Sequence, residues 1–180
     1  MIIEKTIQLK INNAIFKLFE YDCYLLMNDL NERTIAHKLA EYLQEEYPEF
    51  NVDCEYNKNI EESNGLKNIL LLKEECEELN RNFRNTTKID GFKYSIVSIY
   101  PDIIVHKRGR NDKNLLIIEM KKTTNLTSRR FDEKKLKIYT DNSRPNKLQY
   151  SHGLFINFET GVKEPRFPEL IWYRNGESLT

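Results

Sequence analysis

The chain has little cysteine, and no spacing that points to disulfide or zinc chemistry. Its only cysteines, Cys23, Cys54 and Cys76, are widely spaced, odd in number and form no CxxC pair, so neither a disulfide framework nor a zinc site is indicated and buried thiols are expected. Histidine is equally sparse. His37, His106 and His152 make no i, i+4 pair and no His-x-Glu accompanied by a cysteine pair, which leaves zinc hydrolase and zinc deaminase chemistry without support. No apolar run approaches the roughly 20 residues of a membrane span. The opening MIIEKTIQLK has no basic region followed by an apolar stretch and a cleavage site, so a cytoplasmic chain with no membrane contact is expected. Repeats and low-complexity segments are missing as well. What is present is enough Leu, Ile, Phe and Tyr to argue against disorder, in 180 residues that fit one domain over 1–180 with a real core.

Net charge is zero, 28 basic against 28 acidic side chains, but the charges are not evenly spread. Residues 1 to 90 carry 11 Lys plus Arg against 18 Asp plus Glu, a net of −7, whereas residues 105 to 150 carry 13 against 5, a net of +8. For a single lysine, solvation of a strand edge or helix is the simpler reading. As a cluster, the basic half reads as a surface for phosphodiester backbones, whose binding weakens as salt rises.

Ile7, Ile11, Ile15 and Leu18 recur at helical spacing and predict an amphipathic helix over residues 6 to 20, with a break near 21 to 28. Asp29 and Glu32 form a D-x-x-E start signal for a second helix, carried by Ile35, Leu39, Tyr42 and Leu43 and stopped after Tyr47 by Pro48. Val52, Cys54 and Tyr56 alternate with polar neighbours and predict a strand over 51 to 57. Residues 66 to 83 read as a helix through Ile69, Leu72, Cys76 and Leu79, and 84 to 91 as a loop before Tyr94, Ile96 and Ile99. Past the next strands, KTTNLTSRR is polar and placed to close over a substrate. Asp132 can cap a helix containing Leu136 and Tyr139. A buried strand over 150 to 158 and a short one near 170 to 173 complete the chain.

The run from Tyr100 to Lys122 carries the chemistry. Ile103 to Val105 and Leu115 to Ile118 read as two buried strands of a hairpin. If the tip falls between Arg110 and Asn111, Asp102 and Glu119 lie directly across from each other. Alternation then puts Lys121 on the face of Glu119. Charged residues at strand ends usually just face solvent. Here Leu115 to Ile118 is apolar without alternation, so the strand is covered on both faces, and Glu119 begins where the cover ends. Two carboxylates crowded at such a place repel, and a hard divalent cation, Mg²⁺ or Mn²⁺, relieves the cost. The Lys121 ammonium can then orient a water or offset charge developing on a phosphate.

Pro101-Asp102, sixteen intervening residues and Glu119-Met120-Lys121 resemble the motif of the PD-(D/E)XK nuclease superfamily. The resemblance extends to element order over about residues 29–158. It implies an α/β (mixed α+β) fold with a restriction-endonuclease-like core, a central mixed β-sheet flanked by helices, extended here by an extra N-terminal helix and a helical insertion at about 60–91. It further implies that Asp102 and Glu119 bind the metal, with the Met120 backbone carbonyl as a further ligand, and that Lys121 is the catalytic amine. The expected activity is metal-dependent hydrolysis of phosphodiester bonds, in DNA before RNA. The alternative is a catalytically silent nuclease-like module that binds nucleic acid or protein.

Glu32 has two readings: it completes a capping box with Asp29, or it is the helix glutamate that the superfamily often adds to its metal site. Glu55 competes for that place, while Glu41 and Glu45 read as the wet face of the helix. His37 reads as a partly buried imidazole, and His106 shares the strand face of Asp102 and can rim the site. Lys122, Arg129 and Arg130 read as contacts to the nucleic-acid backbone, with Lys135 beside them; the resemblance also implies a polar or basic residue of this helix near the site, a place that either Lys135 or Tyr139 can fill. With no separate recognition domain, a homodimer or a guiding protein partner is a further expectation.

Overall fold

The computed structural model describes residues 5–59, 65–145 and 148–179. The first residues of MIIEKTIQLK and of the expected insertion, 1–4 and 60–64, lie outside the described residues, as do 146–147 and Thr180. In chain order the elements are α1 (Lys5–Met27), α2 (Glu32–Glu46), β1 (Asn51–Cys54), β2 (Asn68–Leu72), α3 (Lys73–Glu78), β3 (Thr86–Ile89), β4 (Phe92–Ser98), β5 (Ile103–His106), β6 (Leu116–Lys122), α4 (Arg130–Thr140), β7 (His152–Phe158), β8 (Glu169–Arg174) and β9 (Glu177–Leu179).

The fold is mixed α/β. Six strands form the central sheet in the order β1-β5-β6-β7-β8-β9; β6 and β7 run parallel, and every other neighbouring pair is antiparallel. One face of this sheet, including Ile118, Met120, Leu154 and Ile156, packs against the apolar stripes of α1 and α2, among them Ile11, Ile15, Leu18, Ile35, Leu39 and Leu43. The other face, with Ile104, Ile117 and Phe155, packs against Leu136 and Tyr139 of α4 and Ile69 and Leu71 of β2. Every residue from Leu116 to Met120 is buried, as the unbroken apolar run demands of a strand covered on both sides. No helix among the described residues is long and apolar enough to cross a membrane.

Several segments differ from the expectations drawn from periodicity. Helix α1 continues through residues 21–27, bent where Asp22 leaves helical geometry (φ −129°) and accepts a hydrogen bond from the Tyr42 hydroxyl. Residues 66–83 are not one helix. Asn68–Leu72 is a strand paired with β4, and only Lys73–Glu78 is helical. The run Ile69-Leu70-Leu71 fits a buried strand as well as a buried helix, and pairing with β4 decides between them. The segment read as a loop contains β3, joined to β4 by Asp90-Gly91 with both residues at positive φ. That is the two-residue turn whose twist suits a hairpin. The expected helical insertion at about 60–91 is therefore mainly β-structure: its β2 and β3 flank β4, which follows it, in a three-stranded sheet β2-β4-β3, with one short helix. The same turn chemistry at Asn175-Gly176 forms the unexpected final strand β9, since Arg174 pairs with Glu177 across it. Of the thiols, only Cys76 is buried; Cys23 is half-buried and Cys54 exposed.

Candidate active site at the end of the central sheet

Strands β5 and β6 pair Ile103 with Ile118, Ile104 with Ile117 and Val105 with Leu116. One further step of that register sets Asp102 against Glu119. The tip does not lie where symmetry puts it. Lys107 bridges to Arg110 around a tight turn at Arg108-Gly109, and the extra residues lie on the β6 side, where Asn111 donates to Asn59 and Asn114 donates to the Leu148 carbonyl. The displaced turn and the one-sided excursion compensate each other, so the pairing of the strands is unchanged.

Strand β6 runs past the start of β5, and the amides this leaves without a strand partner are taken by carboxylates. Met120 N–H donates to Asp102 Oδ2 at 2.6 Å, and Lys122 N–H donates to Glu32 Oε1 at 3.1 Å. The amide and carbonyl of one strand residue point to the same side, so the Met120 carbonyl opens on the edge that Asp102 and Glu32 occupy. Glu32 is thus not the second half of a capping box. The N-cap of α2 is Asn31, whose side chain accepts from Arg33 N–H, and Glu32 is the first helical residue. Its carboxylate also receives Asn125 Nδ2 at 2.9 Å. Asp29, the expected cap, has φ 52°, and its carboxylate accepts from the Thr124 and Thr160 hydroxyls and pairs with Lys122. The bonds from Thr160, Thr124 and Lys122 hold it at about 2.

Glu119 faces α4 and is buried. Lys135 Nζ lies 2.6 Å from its Oε2, and the Tyr139 hydroxyl donates to Oε1 at 3.0 Å. Asp132 joins the group by pairing with Lys135 at 2.9 Å and with Lys121 at 3.1 Å. Burial pushes the Glu119 carboxyl up to about 8 against the pull of Lys135, with the Asp102 charge adding to the rise. Burial also lifts Asp102, to about 6, against the Met120 amide. Burial disfavours the Lys135 charge, yet Glu119 and then Asp132 outweigh it and hold this ammonium above the usual lysine range.

The structure thus brings Asp102, Glu119 and Lys121 to one end of the sheet and adds Asp132, Lys135 and Tyr139 from one helix. Asp132 is not the cap of α4, because the cap position is Arg129 and Asp132 lies in the first turn. The i, i+3, i+7 spacing of Asp132, Lys135 and Tyr139, which puts them on one helix face, was the available sequence signal for this group. Lys135 is 8% exposed and engaged by two carboxylates, so it is a member of the site and not a surface contact. Glu55 is exposed and paired with Arg33. His106 is buried against Asp53 and Tyr56, away from Glu119. His37 is exposed beside Glu41, not partly buried.

The uneven charge along the chain is consumed in part within the molecule. Arg108 pairs with Asp53, Lys122 with Asp29, and Lys134 and Arg144 with Glu75, so basic side chains of residues 105–150 meet acids of the first ninety. Lys122 additionally donates to the Asp29 and Leu30 carbonyls. Arg129 is exposed and bonded to Glu133 and Glu169, and Arg130 is exposed with no ion pair among the described residues.

Among the described residues, no three His, Cys, Asp or Glu side chains are grouped to hold a metal ion. The donor chemistry of the sheet end nevertheless fits a hard divalent cation. Two carboxylates and a strand-edge carbonyl are all oxygen donors, and both acids are raised first by burial, with the charge of neighbouring carboxylates adding to the rise. Comparison of the chain with family models, curated proteins and solved structures finds no match to any of them.

Proposed function

We propose that the chain is a metal-dependent nuclease, hydrolysing phosphodiester bonds of DNA before RNA, on a core of restriction-endonuclease type. The observation that carries the reading is the cross-strand placement of Asp102 against Glu119, with Lys121 two residues further along the same face. Asp102, Glu119 and the Met120 carbonyl would hold Mg²⁺ or Mn²⁺. When bound, the ion would neutralise phosphate charge and acidify a coordinated water. Lys121 steadies the attacking water or the developing charge through its ammonium, and Asp132, 3.1 Å away, fixes where that ammonium sits. Lys135 and Tyr139 fix the Glu119 carboxylate, and Glu32 closes the same strand edge.

Incubation with plasmid and Mg²⁺ tests the reading. The parent protein cuts, and Asp102→Ala and Lys121→Ala do not; variants that cut as fast as the parent overturn the assignment. A second reading is favoured by one observation: both Glu119 oxygens are already engaged by Lys135 and Tyr139. It is a nuclease-like module that binds nucleic acid without cutting it. Salt-sensitive DNA binding with no Mg²⁺-dependent cleavage of single-stranded, double-stranded or branched substrates would select it.

A further inference from the structure

Beside Lys121, on the side away from Asp102, lies a cavity of about 140 Å³ whose lining includes Lys121, Asn125, Thr127, Arg129, Phe155 and Asn157. The parallel register of β6 and β7 sets Lys121 next to Asn157 and Glu119 next to Phe155, so the cavity is the immediate neighbour of the acid pair on the same sheet face. Loop residues 123–129 form its other wall, with Asn125 accepting from Thr127 N–H and holding Glu32.

Three properties define what it can take. First, no carboxylate lines it, although the chain has as many acids as bases. Asp132, Glu133 and Glu169 bond to Lys121 and Arg129 but do not line the space. Second, donors remain free. Of the five guanidinium hydrogens of Arg129, Glu133 takes one at Nε and Glu169 one at Nη1. Asp132 engages one side of the three-donor Lys121 ammonium, and the Asn157 side chain has no hydrogen bond within the described residues. Third, the volume is well below the roughly 300–1,000 Å³ of pockets that enclose whole small molecules. The space matches a single tetrahedral anion in size more closely than a whole nucleotide.

We propose that this cavity is a phosphate-group subsite, receiving the phosphate of the substrate backbone next to the one that is cut. The inference rests on the nuclease reading for its role, but its anion chemistry is testable separately. Lys121 and the Arg129 fork provide the charge, and the Asn157 amide and Thr127 hydroxyl provide neutral donors that fix orientation. The substrate strand then runs from the acid pair across Lys121 toward the start of α4.

The test uses the full chain without metal and inorganic phosphate as the probe, titrated by calorimetry at constant ionic strength. The parent protein binds phosphate. Asn157→Leu and Arg129→Gln each weaken binding by about tenfold or more, as the loss of a hydrogen bond to a charged group predicts. Lys88→Gln, which removes a cation from the separate three-stranded sheet, binds as the parent does, because Lys88 does not line the cavity. Parent protein that takes up no phosphate, or Asn157→Leu that binds as well as the parent, overturns the inference. Asn157→Asp, which keeps the shape and adds a negative charge, guards against a folding defect and should abolish binding; undiminished affinity there also overturns it. Failure of the nuclease reading gives a different result: Asp102→Ala cuts plasmid while phosphate binding still responds to Asn157 and Arg129.

Discussion

Met120 donates its backbone amide to Asp102 Oδ2 at 2.6 Å, so the first residue of the acid pair also closes the strand edge beside the second. Asp102 therefore has a structural duty separate from any chemistry. Asp102→Asn keeps an oxygen for that amide, and its urea midpoint should stay near or above the parent value, since a like-charge contact is removed. Asp102→Ala leaves a buried N–H without a partner and should lose about 1–3 kcal/mol. Equal stability of the two variants in urea unfolding would count against this bond.

Lys135 and Glu119 form a buried pair under α4. Removing one partner of such a pair costs about 3–5 kcal/mol, so Lys135→Met should unfold at much lower urea. Glu119→Gln combined with Lys135→Met should recover most of that loss. A double-mutant cycle with no coupling between the positions would contradict the pairing.

Glu75 sets an acid limit to stability. Burial works against its charge, but hydrogen bonds from Arg144, Lys134 and the Leu72 amide outweigh that and hold the carboxyl at about 2, below its ordinary 4.5. A carboxyl lowered on folding stabilises the protein above its unfolded value and loses that contribution as pH falls from about 4.5 toward 2. Unfolding free energy of the parent should drop more steeply through this window than that of Glu75→Gln. Parallel curves would show that the Arg144 and Lys134 bonds do not hold in solution.

Asn31, not Asp29, caps α2. Asn31→Ala should cost about 1 kcal/mol in chemical denaturation, within the range known for lost N-caps. Asp29→Ala should act instead on the segment it ties down, increasing hydrogen exchange around Thr124 and Thr160. The reverse pattern would restore the capping box.

At Gly153 a Cβ would meet Leu136 and Tyr173 side-chain atoms at 3.2 Å and Thr140 at 3.3 Å. Gly153→Ala should therefore push α4 from β7 and cost about 1–3 kcal/mol, as overpacking does. A thermal midpoint equal to the parent's would mean that α4 yields without loss.

Much of the sheet end was legible because it depends on local rules. Unalternated apolar residues named β5 and β6 as buried strands, and a two-residue period put Glu119 and Lys121 on one face; the turn position that the register was counted from was not legible, because Lys107 to Arg110 form a tighter turn and the extra residues sit on the β6 side. The insertion was not legible in the same way. Ile69-Leu70-Leu71 satisfies strand and helix alike, and only β4, some twenty-five residues later, makes it a strand. The turns at Asp90-Gly91 and Asn175-Gly176 were readable signals that periodicity alone passed over.

The sequence by itself determined the buried strand pair and the face that Glu119 and Lys121 share, since these need only apolar patterning and side-chain alternation; the register was kept by a turn displaced to Arg108-Gly109 and an excursion on the β6 side that offset each other. Tertiary structure decided the rest of the site. Whether Glu32 caps its own helix or reaches the Lys122 amide ninety residues away, and whether Lys135 faces water or Glu119, depends on how α2 and α4 lie against the sheet. It also decided what the +8 segment does with its charge: cations of that half meet acids of the other, because folding brings together charges that the linear chain keeps apart.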